Sequence, residues 1–156
     1  MTPAGRGPVV VGELIQPWTM DRVDPARMKT MAAILRDPYP VHWDRDGNVG
    51  LGIGPRVINQ GPLNVGYLAN MLMAWAGPDA VRRLTVVFAS RVLDEERVTA
   101  GGVVSAIEDV NGERQAVCEV WLERAGERVV TGTAVVSLGP ALDVDPAGPP
   151  AHDSAS

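Results

Sequence analysis

The stretch GPLNVGYLANMLMAWAGP, residues 61–78, decides how the rest of the chain must be arranged. From Leu63 to Trp75 it is apolar almost all round, broken only by Asn64 and Asn70, and it stops at Ala76-Gly77-Pro78, a glycine followed by a proline. A helix without a polar face is a buried helix. At about 14 residues it is too short to cross a bilayer, so in a chain of 156 residues it must be wrapped by the other elements of a single domain. The sequence after it supplies the wrapping. Four Val- and Thr-rich runs with polar residues interleaved, at 82–93, 97–110, 114–125 and 128–139, read as β-strands. Their separators, Asp94-Glu95-Glu96, Asn111-Gly112-Glu113 and Ala125-Gly126-Glu127, are turn material, and together they predict a four-stranded antiparallel meander.

Upstream, VVVGELIQPWTM at residues 9–20 reads as a fifth strand closed by Pro17. Asp24-Pro25 is a helix start, with Asp as N-cap and Pro in the first turn, and it opens a shorter helix with Met28, Met31, Ala32 and Leu35 on one face. Asp37-Pro38 ends that helix. The expected fold is α+β: one curved antiparallel sheet wrapped around a long central helix, over residues 9–138. Residues 1–8 read as a flexible N-terminus, and 139–156, rich in Pro, Gly, Ala and Asp, as a disordered tail.

Composition narrows the function. Hydrophobic residues make up 46% and charged residues 21%, a globular profile. The net charge of −5, with Lys29 the single lysine and no basic stripe, argues against nucleic acid as a partner. No apolar run reaches the roughly 18 residues of a membrane span, and the first residues lack the apolar core of a secretion signal, so the expected location is the cytoplasm, without membrane contact. Cys118 is the single cysteine, which excludes an intramolecular disulfide and a thiolate-rich metal cluster and fits a small core hydrophobe better than a nucleophile. No metal and no cofactor are expected.

The chemistry-bearing segment is the bend RDPYPVHWD, residues 36–44. It sets Asp37 and His42, one of two histidines, on either side of Pro38-Tyr39-Pro40. A charged surface turn would need no chemistry to exist. The other histidine, His152, lies in the tail, which leaves His42 as the histidine with a candidate role. Trp43, Met71, Met73 and Trp75 read as core or dimer contacts before they read as ligand contacts.

The order of elements and the residues at their joints resemble the hotdog fold, and specifically the MaoC-like acyl-CoA hydratases and dehydratases. In that family the short helix ends in Asp-x-Asn-Pro-x-His followed by a Trp- or Tyr-Asp pair. Here Asp37, Pro40, His42 and Asp44 match in identity and spacing. The family enters its central helix through a glycine, usually in a His-Gly pair, where this chain has Gln60-Gly61. The likeness continues through RRLTVVFASRVLDEERVTAGGVV, residues 82–104. Two positions depart from the pattern: Tyr39 stands for the usual Asn and Gln60 for the usual His. The segment between His42 and Gly61 also departs, with Gly-rich sequence in place of an acidic, Ala-rich helix. With MAWAGP, residues 73–78, these features also resemble short hotdog subunits of actinobacterial steroid side-chain hydratases, which work in hetero-oligomers.

The resemblance implies addition of water to a trans-2-enoyl thioester of coenzyme A or an acyl carrier protein, or the reverse elimination from an (R)-3-hydroxyacyl thioester. Asp37 and His42 would supply the base and the acid, and the Gly61 amide at the helix start a site for the enolate-like oxygen. Tyr39, Trp43 and Gln60 would contact the substrate, and Arg82 and Arg83, with Arg56, could meet the carrier's phosphates. A homodimer, or a hetero-oligomer with another hotdog subunit, is expected to cover the sheet and helix that one unit leaves open. Two alternatives stand beside this reading. One is a non-catalytic hotdog partner subunit, consistent with Tyr39 and Gln60. The other is an acyl thioesterase, against which the central helix, without Asp or Glu, argues.

Overall fold

A computed structural model describes residues 8–37 and 39–140. The flexible and disordered readings given to 1–8 and 139–156, His152 with them, fall outside the described residues except at Pro8, Gly139 and Pro140. The chain folds as β1 (Leu14–Met20), α1 (Pro25–Leu35), a 3₁₀ turn (Pro40–His42), α2 (Arg45–Gly50), α3 (Gly61–Ala76), β2 (Val81–Phe88), β3 (Val98–Val110), β4 (Glu113–Arg124) and β5 (Glu127–Pro140). The strands form one antiparallel sheet in the order β1-β3-β4-β5-β2.

Local sequence explains most of these joints. Asn111-Gly112 and Ala125-Gly126 each place two successive residues at positive φ (53° and 78°, 47° and 85°), the backbone of a tight hairpin whose twist matches its strands. The meander therefore forms as read from β3 to β5, but it does not include β2. That strand pairs with β5 on the far edge, Val81 opposite Val136 through Phe88 opposite Val130. The connection from Phe88 to Val98 is too long for a hairpin, and its Asp94 is drawn away from the sheet into a buried ion cluster with Arg45 and Arg56. The acidic residues that look like a turn are thus a crossover. Pro17 does not close β1 either: the strand continues to Met20 with a register shift between Ile15 and Trp18, which an edge strand tolerates because the missing N–H is not needed.

α3 lies on the concave face. Asn64, Tyr67, Leu68, Met71, Leu72 and Trp75, spaced 3 and 4 apart, are buried against Ile15, Val104, Cys118, Leu122 and Val136. Leu68 and Leu72 are 0% exposed, and truncating either to Ala costs about 2–5 kcal/mol. The opposite stripe, with Pro62, Asn70 and Ala74, is exposed, so this chain covers one face of the helix and not its whole circumference. α1 departs from expectation in the same way. Of its apolar face only Met28 is fully buried, while Leu35 is exposed, as are Ile34 and the side chains of Val87 and Phe88 on edge strand β2. Ile34 and Leu35 lead directly into the bend that carries Asp37 and His42.

Candidate active site

α1 delivers Asp37. Asp24 caps the helix, its Oδ1 accepting from the Ala26 N–H at 2.9 Å, and Pro25 fits the first turn. At the far end Arg36 takes a left-handed conformation (φ 51°), and Asp37 N–H closes on Ala32 O at 2.9 Å. This stops the helix one residue before the Asp-Pro pair. Asp37 Oδ1 then accepts from the Tyr39 N–H at 3.1 Å, which fixes the carboxylate and leaves Oδ2 to face inward.

The 3₁₀ turn delivers His42. The Trp43 and Asp44 amides both donate to Pro40 O, at 2.9 and 2.7 Å. The His42 ring, mostly buried, places Nδ1 2.7 Å from Ile58 O and Nε2 3.7 Å from Asp37 Oδ2. A main-chain carbonyl can only accept, so Nδ1 carries the hydrogen of the neutral ring and Nε2 presents a lone pair. The 3.7 Å gap is too long for a direct hydrogen bond, and a small hydroxylic molecule set against both atoms can bond to each.

Gly61 opens α3, three residues after Ile58, whose carbonyl meets the His42 ring. Pro62 carries no N–H, and the Leu63 and Asn64 amides donate to Gln60 O at 3.1 and 3.2 Å, so Gly61 is the first-turn amide that this carbonyl does not take. The helix dipole stands behind it. A Cβ at this position would come within 3.2 Å of Phe88 Cζ, so any larger residue requires the ring to give by a few tenths of an ångström.

The other sequence-predicted residues divide. Tyr39 is exposed with its ring edge-on to His42 at 6.5 Å, and Trp43, also exposed, lines two clefts of about 420 and 480 Å³. The first contains His42, Asp44, Arg45 and Asp46; the second Ala32, Ala33, Arg36 and Asp37; Lys29 borders both. Gln60 is turned away from these clefts: it is 1% exposed and its Nε2 donates to Met28 O at 2.8 Å, fastening α1 to α3. Arg82 and Arg83 are not brought to the site. They lie at the opposite end of β2 from Phe88, about 20 Å away at strand rise, and Arg82 is paired with Glu113 at 2.6 Å. Arg56 is engaged by Asp94 and Glu96. Asp44 is used structurally, its Oδ1 capping α2 through the Gly47 N–H at 2.9 Å.

Several residues escaped the sequence reading. Ile58 contributes only a carbonyl, which side-chain patterns cannot reveal, and Phe88 and Lys29 sit in segments that read as ordinary strand and helix surface. Below the helix start Asn59 Nδ2 donates to Asn64 Oδ1 at 2.6 Å, and Tyr67, stacked on Trp18 with centroids 5.6 Å apart, has its phenol pKa raised by burial, with a smaller opposing contribution from Asn59. Cys118 is fully buried, and burial pushes its thiol up to about 11, so it is a core residue and no nucleophile at neutral pH.

No protein-family model matches the sequence, and no curated protein does. Solved structures do. The chain is similar to one from the ChsH1-ChsH2 complex of Mycobacterium tuberculosis, with a TM-score of 0.70 and 25% identity over 82% of this chain and 97% of that one. It is similar to the (R)-hydratase of A. caviae involved in PHA biosynthesis, at 0.71 and 23% over 83% and 97%. The (R)-hydratase PhaJ1 of Pseudomonas aeruginosa aligns at 0.70 and 18% over 90% and 91%. The chain has the hotdog fold of the MaoC-like dehydratases and (R)-hydratases.

Proposed function

We propose, from the hotdog fold as premise, that this chain is a hydratase or dehydratase acting on a trans-2-enoyl or (R)-3-hydroxyacyl thioester. The observation that carries the reading is the facing of Asp37 Oδ2 and His42 Nε2 across 3.7 Å with Nδ1 tied to Ile58 O. Because Nδ1 is tied to Ile58 O and Nε2 presents the lone pair, His42 takes both the base and the acid role that the resemblance divides between Asp37 and His42: in the hydration direction Nε2 takes a proton from water as its oxygen adds to C3 of the enoyl group. The electron pair moves to the thioester oxygen, which the Gly61 N–H receives at the positive end of α3. The proton held on the imidazolium then passes to C2 and the ring returns to neutral, while Asp37 orients the water and balances the transient positive charge.

The substrate's acyl carrier is coenzyme A or an acyl carrier protein, in lipid, steroid or polyketide metabolism, and the compartment is the cytoplasm. Among the described residues no helix is long and apolar enough to cross a membrane. Lys29, at both clefts and without an ion pair among the described residues, replaces Arg82 and Arg83 as the cation placed to meet a carrier phosphate.

A second reading is a partner subunit whose own site is silent. The exposed stripe of α3 and the apolar end of β2 favour a second hotdog chain as cover, either a copy or a homologue. Purified chain assayed on crotonyl-CoA and longer enoyl-CoAs, with and without a co-expressed hotdog subunit, separates the two. Under the leading reading the chain hydrates an enoyl-CoA, and Asp37→Asn and His42→Ala each lower the rate by roughly 100- to 10,000-fold without unfolding it. Retention of most activity by either variant sinks that reading. Activity that survives both substitutions only when the second subunit is present supports the other.

A further inference from the structure

Asp94 is a buried charge that the proposed chemistry does not use. It belongs to the crossover between β2 and β3, is 0% exposed, and accepts three contacts: Arg45 Nη2 on Oδ2, and Arg56 Nε at 3.3 Å and the Val57 N–H at 3.2 Å on Oδ1. The backbone closes around the same point. The Asp94 N–H donates to Val57 O at 2.9 Å, Asn59 N–H to Val92 O at 2.7 Å, and Ile58 pairs with Leu93 in a β-bridge. Ile58 in turn donates to Val41 O at 2.9 Å and accepts from His42 Nδ1 at 2.7 Å. Arg45 begins α2, three residues after His42. The carboxylate therefore ties both flanks of the imidazole, the 56–58 segment that holds Nδ1 and the helix that follows the 3₁₀ turn. Buried Asn48 adds a parallel clip, its Nδ2 donating to Val41 O at 3.1 Å and Arg56 O at 2.9 Å.

We propose that Asp94 is the positioning residue of His42, acting through Val57 and Ile58 to hold the imidazole as its Nδ1–H tautomer with Nε2 directed at Asp37. The role rests on the hydratase reading only for its consequence in catalysis; the tautomer is a property of the folded chain whatever the reaction. A carboxylate accepts on both oxygens, whereas an amide accepts on one and carries donors on the other. Asn at position 94 must turn its NH₂ toward either Arg45 or the Val57 side, so one flank opens.

The test is ¹⁵N NMR of the imidazole at a pH where the ring is neutral, in a His152→Gln background so that His42 is the single histidine observed. The parent chain shows the Nδ1–H pattern. Asp94→Asn, folded by circular dichroism, shows a mixture of tautomers, and its kcat falls by up to about 100-fold while KM changes less than about twofold. If Asp94→Asn does not fold, Arg45→Gln, at a half-exposed partner whose Nη1 also donates to Pro55 O at 3.0 Å, loosens the α2 flank while Arg56 and the Val57 N–H stay on Asp94, and gives partial mixing. An unchanged Nδ1–H pattern in a folded variant overturns the proposal. A parent chain that hydrates no enoyl thioester, alone or with a second hotdog subunit, while Asp94→Asn still loses the pattern, leaves the positioning role standing and removes the hydratase reading.

Discussion

Replacing Gly61 by alanine separates what this position does for the fold from what it does for the reaction. The new Cβ stands 3.2 Å from Phe88 Cζ and 3.6 and 3.7 Å from the two Cε atoms, so only the first contact is short, and by a few tenths of an ångström. Phe88 is 50% exposed at the end of an edge strand, and its ring can tilt away at a cost of about 0.5–1.5 kcal/mol. Alanine is preferred over glycine within a helix by up to about 1 kcal/mol. The two contributions nearly offset, and at about 2–4 °C per kcal/mol the melting temperature should stay within a few degrees of the parent. The reaction has no such offset. The Gly61 N–H proposed to receive the thioester oxygen is retained, and the methyl group acts by obstructing the oxygen's approach to it, so the rate loss should approach that of a lost oxyanion donor, about 100- to 1000-fold or about 2.7–4 kcal/mol. Thermal melts paired with initial rates on a short enoyl-CoA check both halves. A variant with parental melting temperature and a rate within about threefold, some 0.7 kcal/mol, refutes the claim that the thioester oxygen approaches the Gly61 amide past its Cα. A melting temperature lowered by more than about 10 °C refutes the claim that Phe88 yields, unless adding Phe88→Ala restores it.

Three further outcomes are expected. Lys29→Ala should raise KM for an enoyl-CoA by about tenfold, one lost charged contact, while leaving KM for the same acyl group on a phosphate-free thioester unchanged, as steady-state kinetics on the two substrates will read. Cys118, buried with its thiol pushed up to about 11, should react with a thiol reagent at pH 8 only as fast as the chain opens, so labelling should accelerate along the unfolding transition; rapid labelling of the native chain would contradict the packing. Glu113 is held at about 2, below its ordinary 4.5, first by Arg82 and then by Ser137 and Gln115. A lowered carboxyl pKa contributes stability above pH 4.5 that fades as pH falls toward 2, so the difference in melting temperature between the parent and Glu113→Gln should be constant near neutrality and close over that window.

The sequence by itself determined the elements whose causes are local. The apolar run from Leu63 to Trp75 specifies a helix that a sheet must receive, because no aqueous surface would accept it. Asp24-Pro25 opens α1, and Asn111-Gly112 and Ala125-Gly126 close two hairpins, because capping and positive φ act within a few residues. The spacing of Asp37 and His42 was also legible, and one short bend with prolines does bring them face to face. Only the tertiary structure decided what depends on partners far along the chain. β2 pairs at the edge beside β5, and the crossover that follows it is tied by Asp94 to Arg45 and Arg56, 49 and 38 residues away in sequence. Gln60 is drawn from the clefts by a carbonyl of α1, and Arg82 is removed from the site by the length of a strand and the pull of Glu113. The tautomer of His42 is set by the carbonyl of Ile58, a group every residue carries and no side-chain pattern can announce. Backbone acceptors and buried ion pairs are chosen by proximity in three dimensions, and proximity is what a linear pattern does not encode.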